Sequence, residues 1–271
     1  MMRPMSATTA KQRGFTLAEV AVVVLIVGLL LGGLLGTYST QIELGRISET
    51  RRTLETARDA LIGFAVANGR LPCPATVNPP HPTTSNGAEV PAGGNCAVSA
   101  GSEMQGVGFV PAATLGLTPV DSQGYLIDSW GGRIRYAVTN DSGNFTFTTQ
   151  GQIRAQLLDL NAATPPATLL RVCSTSTNMT GTGFGTAACA AGPPTTALTN
   201  SAVAVIFSTG KNGAPGGTGG TGADESKNLD NDRVFISHDL APAGATGGEF
   251  DDVIIWLSPS ILYNRILSGG L

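Results

Sequence analysis

The chain has 271 residues, with 16 Lys/Arg against 19 Asp/Glu, a formal charge of −3 and only 13% charged side chains. That length suits a terminal anchor plus one globular domain or two small ones. Sparse charge with an acidic balance excludes a broad nucleic-acid footprint, which needs clustered cations, so no nucleic-acid partner is expected. The 36 glycines point to a loop-rich body.

Taken in order, the first feature is an apolar block. Phe15 to Gly36 is a run of 22 residues in which Glu19 is the one ionisable side chain. At about 1.5 Å per residue it predicts a helix that crosses a hydrocarbon core of roughly 30 Å. A lone carboxylate there costs at least ~2.5–3.5 kcal/mol on insertion scales, so it calls for a partner. The nearest cation on its C-terminal side is Arg46, far along the same helix, and the partner is expected from outside. Arg3, Lys11 and Arg13 all precede the block, which keeps the leader cytoplasmic and exports the rest. A secretory signal has a shorter apolar core followed by a small-residue cleavage site. An unprocessed anchor would leave Glu19 without a purpose.

Arg13-Gly14-Phe15-Thr16-Leu17-Ala18-Glu19-Val20 resembles the cleavage and methylation signature of type IV prepilins and type II secretion pseudopilins. The resemblance implies that prepilin peptidase cuts between Gly14 and Phe15 and that Phe15 is N-methylated. It further implies that Glu19 pairs with the N-terminal amine of a neighbouring subunit during assembly. Residues 1–14 are then a cleaved leader. Without them the chain holds 13 Lys/Arg against 19 acids, a side-chain charge of −6.

Helical periodicity continues beyond the block: Ile47, Leu54 and Leu61 recur every seven residues, with Ala57, Phe64 and Ala65 on or beside the same face. Asn68-Gly69 followed by Pro72 is a stop signal. One helix is therefore expected over 15–68, with 15–37 transmembrane and 38–68 packed on a sheet. Gly28, Gly32, Gly33 and Gly36 weaken its middle, at about 1 kcal/mol each relative to Ala. They serve either close packing in lipid or local unwinding in a fibre.

Residues 69–271 read as an exported, β-rich domain. Short strands are expected near 106–110, 133–138, 145–148, 169–173, 203–208, 233–237 and 253–257, with antiparallel pairing suggested by the turns between them. Asn140-Asp141-Ser142-Gly143 is turn chemistry that would pair 133–138 with 145–148. Residues 112–117 form one helical turn, and Ser258-Pro259 opens a C-terminal helix. Cys73, Cys96, Cys173 and Cys189 all lie in the exported part, where disulfides form. Three pairings are open. Cys73–Cys96 with Cys173–Cys189 is favoured, because each closes a short Gly- and Thr/Ser-rich loop. A zinc site is the alternative, but there are no CxxC pairs and His81 is the only near histidine.

Asp128-Ser129-Trp130-Gly131 with Tyr136 resembles a segment of the major pseudopilin of type II secretion, where it opens the sheet beside the long helix; here Trp130 is expected to pack and Asp128 to hold a turn. The glycine-dense stretch Gly210 to Gly222 lacks the Gly-Lys-Ser/Thr ending of a phosphate loop. Followed by acids, it resembles the calcium loop of the same pseudopilin, with Asp224, Asp230 and Asp232 as candidate calcium ligands beside Glu225. Asp251 and Asp252, adjacent at a strand start, should point to opposite faces and so not converge. Ser237-His238-Asp239 are consecutive and cannot form a triad. No coherent catalytic constellation is present, and no enzyme is expected.

The expected fold is α+β: a long pilin-like N-terminal helix on an antiparallel sheet with disulfide-stapled loops. The expected function is a structural subunit of a type IV pilus or type II secretion pseudopilus, as a minor subunit. The partners are prepilin peptidase, other pilin or pseudopilin subunits and the inner membrane. The alternative is a tip-located module that binds a surface, a glycan or DNA.

Overall fold

The computed structural model describes residues 14–75, 87–96, 107–139, 147–153, 169–179, 187–190, 192, 196–214, 218–220, 222–230, 232–245 and 247–269; for 31–40 it describes the backbone alone. His81 lies outside these residues. The chain divides into two units, Met1–Gly45 and Arg46–Leu271.

Helix α1, Leu17–Asn68, runs unbroken for 52 residues, through Gly28, Gly32, Gly33 and Gly36. In the first unit its side chains from Val20 to Leu30 are apolar and exposed. Among the described residues no helix is long and apolar enough to cross a membrane. The expected end of α1 is where the sequence places it. Gly69 takes a left-handed φ of +65° and its N–H returns to the Ala65 carbonyl at 2.9 Å.

In the second unit, β1 (Val107–Phe109), β2 (Arg135–Val138), β5 (Ala204–Ser208) and β9 (Val253–Leu257) form an antiparallel sheet in the order β1-β2-β5-β9. Leu54, Ala57, Leu61 and Ala65 of α1 bury against the face carrying Tyr136, Val138, Ile206 and Leu257. Leu262 and Ile266 of the C-terminal helix α4 (Pro259–Ser268) join this core, and Ser258 caps α4 by accepting from Ile261 N–H. The sheet's other face, with Ala137, Val205, Phe207 and Ile254, packs on a second sheet of β4 (Ala197–Ala202), β3 (Leu170–Cys173) and β8 (Val234–Ile236). Burying each large side chain contributes about 1.5–3 kcal/mol, so the heptad on α1 is a main support of the body.

Both disulfides form in the favoured pairing, Cys73–Cys96 and Cys173–Cys189. Three expectations fail. Strand β2 pairs with β1 and β5; of its expected partner 145–148, Phe147 and Thr148 lie in a turn, where the Phe147 carbonyl accepts from Leu71 N–H at 2.7 Å and the Thr148 carbonyl from Asn95 N–H at 3.1 Å. Residues 140–146 lie outside the described residues. Pairing is not wholly antiparallel, because β3 and β8 run parallel. Among the described residues there are also helices α2 (Ala112–Leu115) and α3 (Ala223–Asn228), and α3 stands where the sequence predicts a loop. The hairpin of β6 (Gly213–Ala214) and β7 (Thr218–Gly219) and the edge strand β4 carry no strand signal in the sequence, the first two because they are two residues each and glycine-containing, β4 because it is mostly polar and exposed.

Candidate functional site

Two places carry chemistry. At the N-terminal one, Thr16 precedes the first helical residue and Glu19 is the third. Glu19 Oε2 accepts from the Thr16 backbone N–H at 2.9 Å and from its hydroxyl at 3.0 Å, while Thr16 Oγ1 accepts from Glu19 N–H at 3.3 Å. This is a reciprocal capping box. Its sequence signal is the Thr-x-x-Glu spacing of Thr16 and Glu19. Glu19 thus has a local partner as well as any partner from another chain. Gly14 is exposed, and a Cβ built there meets nothing within 4 Å. The packing of the described residues does not require glycine at that position.

Residues 9–35 match the family model of the prokaryotic N-terminal methylation motif. That motif implies a prepilin-type substrate of prepilin peptidase and a pilin-type subunit. It covers Gly14, Phe15 and Glu19 and says nothing of the body. No curated protein and no solved structure matches the chain.

The second place is acidic and lies in the body. The expected calcium set does not assemble. Asp224 Oδ2 meets His238 Nε2 at 3.2 Å, and its Oδ1 accepts from Ser176 N–H at 2.6 Å. Asp230 and Asp232 both bind the Lys227 ammonium, and Asp232 Oδ1 also accepts from Val234 N–H at 2.7 Å. Asp230 and Asp232 are occupied by Lys227, and Asp224 by His238 and the Ser176 N–H.

Glu225, Asp251 and Asp252 converge instead, each offering a carboxylate oxygen within 4.8 Å of the others. The opposite-face argument fails because β9 begins only at Val253, so the two aspartates sit ahead of the strand and escape its alternation. Glu225 is delivered by α3, whose backbone is fixed at Gly222: Gly222 N–H donates to Glu225 Oε2 at 3.2 Å. Asp251 Oδ2 accepts from the N–H groups of Lys211 and Asn212, at 3.1 and 3.2 Å. Asp252 Oδ2 accepts from Asn228 Nδ2 at 2.7 Å. Burial, followed by the neighbouring carboxylates among its causes, raises Asp251 to about 6 and pushes Asp252 well above the ordinary value. The signal for this cluster was the pair of adjacent aspartates after Phe250, read with the wrong backbone.

Asp128 holds its turn as expected. Its Oδ1 accepts from Trp130 and Gly132 N–H at 2.9 and 2.8 Å, and Oδ2 accepts from the Ser208 hydroxyl at 2.5 Å. Ser129 N–H donates to Thr50 Oγ1 at 3.2 Å, which ties this turn to α1.

Proposed function

We propose that the chain is a pilin-like structural subunit, inserted in the inner membrane, cut between Gly14 and Phe15, methylated on Phe15, and polymerised as a minor subunit into a type IV pilus or type II secretion pseudopilus. The observation that carries this reading is the methylation motif at 9–35 joined to a helix whose described side chains from Val20 to Leu30 are apolar on every face and exposed. A helix apolar all round needs lipid or other helices around it. The sequence continues apolar from Leu31 to Gly36, so the span runs over residues 15–37. The leader then stays cytoplasmic and the body is exported, where its two disulfides are kept oxidised.

Assembly follows from the same residues. Cleavage creates an amine at Phe15, and Glu19 of the adjacent subunit neutralises it while apolar helix faces pack in the fibre core. The long body from Arg46 to Leu271 supports a minor or specialised subunit; if it also binds a surface, label in immunogold images gathers at fibre ends and is absent from the shaft. The reading gives the chain no catalytic role.

The test is the mature N terminus. Mass spectrometry of protein from the natural membrane should find a chain beginning at Phe15 and heavier by one methyl group. Gly14→Leu should leave the uncut precursor in the membrane. A natural product that retains residues 1–14 would end this proposal.

A further inference from the structure

The body contains a second feature that no prepilin-type processing explains. Three carboxylates from two separate stretches, Glu225 on α3 and Asp251 with Asp252 ahead of β9, meet with an oxygen of each within 4.8 Å of the others. Ordinary folding avoids this arrangement, since like charges gathered out of water repel and lose hydration. Asp252 is 5% exposed, and its Oδ1 is buried without a donor. Asp251 Oδ1, Asn212 Oδ1 and Thr209 Oγ1 are also buried without a partner. Buried oxygens normally have one, and four orphans in the same neighbourhood ask for a shared positive centre.

The backbone is shaped to this cluster. Gly210 has φ +63°, and a Cβ on it would fall 2.0 Å from Asp251 Oδ1. A Cβ on Gly213 would come within 2.2 Å of Thr209 Oγ1, and one on Gly220 within 2.7 Å of the Glu225 side chain. The glycines therefore let the 209–213 loop and the backbone at Gly220 close over the acids. Any other residue would push the walls apart.

We propose that Glu225, Asp251 and Asp252 bind one divalent cation of calcium's kind, with Thr209 and Asn212 supplying further oxygens. The chemistry fits: all-oxygen donors, three of them anionic, suit a hard cation. Oxygens on one calcium ion, each at about 2.3–2.6 Å, lie no more than ~5 Å apart, which the 4.8 Å cluster satisfies. Bound there, the cation ties the loop after β5, helix α3 and the start of β9 into one unit. The site stands on the body alone and does not depend on the prepilin reading.

The experiment uses the full chain in detergent, stripped with a chelator and then titrated with calcium chloride by calorimetry and thermal melting, with magnesium chloride in parallel. Calcium should raise Tm by several degrees with a saturable binding heat. Asp252→Asn keeps the side chain's shape and removes one buried charge, so the stripped variant should melt no lower than stripped wild type. Its calcium affinity should fall at least tenfold. Asp230→Asn, outside the cluster, should retain the full calcium shift. A wild type that melts identically with calcium and with chelator overturns the proposal. So does an Asp252→Asn protein that retains the full shift, or loss of the shift in Asp230→Asn alone.

Discussion

Glu19 does two things at once, and they are separable at the level of one atom. Its carboxylate closes the capping box with Thr16, which satisfies an otherwise unpaired N–H at the helix start. Under the proposed assembly it also carries the charge that meets a neighbour's amine. Glutamine at the third helical position still serves a capping box but has no charge. Glu19→Gln should therefore insert and be cleaved as wild type is, yet yield at least tenfold fewer fibres in sheared preparations. Wild-type fibre yield from Glu19→Gln would leave capping as the residue's whole role. Glu89 offers a second test, in the body. It accepts both Arg70 guanidinium nitrogens at 2.8 Å and the N–H groups of Cys73 and Gly93, and both side chains of the pair are over 90% buried. Burial pushes its carboxyl up, but Arg70 and those N–H groups more than offset this and hold it below the ordinary value. A carboxylate lowered by folding stabilises at neutral pH, and that contribution is lost as pH falls through its folded-state value. Glu89→Gln should cost about 3–5 kcal/mol at neutral pH, as breaking a buried pair does. In urea melts the gap to wild type should close on acidification to below about 4, under the usual glutamate range. A gap that ignores pH would show that the ionised pair contributes nothing.

At the scale of elements, what the sequence made legible was whatever long-range periodicity writes. The heptad Ile47, Leu54, Leu61 and the Asn68-Gly69 stop located α1 and its buried face, and β5 and β9 stood out as apolar runs. What stayed hidden was decided by partners instead of patterns. The turn at 140–143 suggested a hairpin, yet Leu71 took the Phe147 carbonyl. Helix α3 is six residues of polar sequence behind a glycine loop, so no apolar stripe announces it, and the sequence groups Glu225 with Asp224, Asp230 and Asp232 where the fold brings it to Asp251 and Asp252. Disulfide pairing was legible because loop length limits it; the acidic cluster was not, because strand alternation was applied two residues before the strand begins. Gly28 is a further element-scale case. A Cβ there meets open space within 4 Å, so the isolated helix has no need of glycine. In a fibre, small residues let helices approach closely. Gly28→Leu should thus leave membrane insertion and helix content unchanged and reduce fibre yield several-fold. Equal yields would return Gly28 to chance.

For the whole molecule, the boundary between the two units falls inside one continuous helix, after Gly45. The part of α1 beyond it supplies Leu54, Ala57, Leu61 and Ala65 to the core and receives the Asp128 turn through Thr50. The body is therefore not the segment after the helix; it includes α1 from Arg46 to Asn68. A fragment of residues 46–271 keeps every one of these contacts and both disulfides, and it should be monomeric without detergent, with a single cooperative melt. A fragment of 69–271 keeps the disulfides and all the strands but loses the layer that covers the inner face of the main sheet. Burial of Leu54 and Leu61 alone contributes about 1.5–3 kcal/mol each, against a total of about 5–15 kcal/mol for a typical domain. The sheet face left bare, with Tyr136, Ile206 and Leu257, would then drive association. The shorter fragment should aggregate or show no sharp near-ultraviolet circular dichroism, while the longer one does. If the two melt at the same temperature, the helix only tethers the body, and the claim that it is part of the core is wrong.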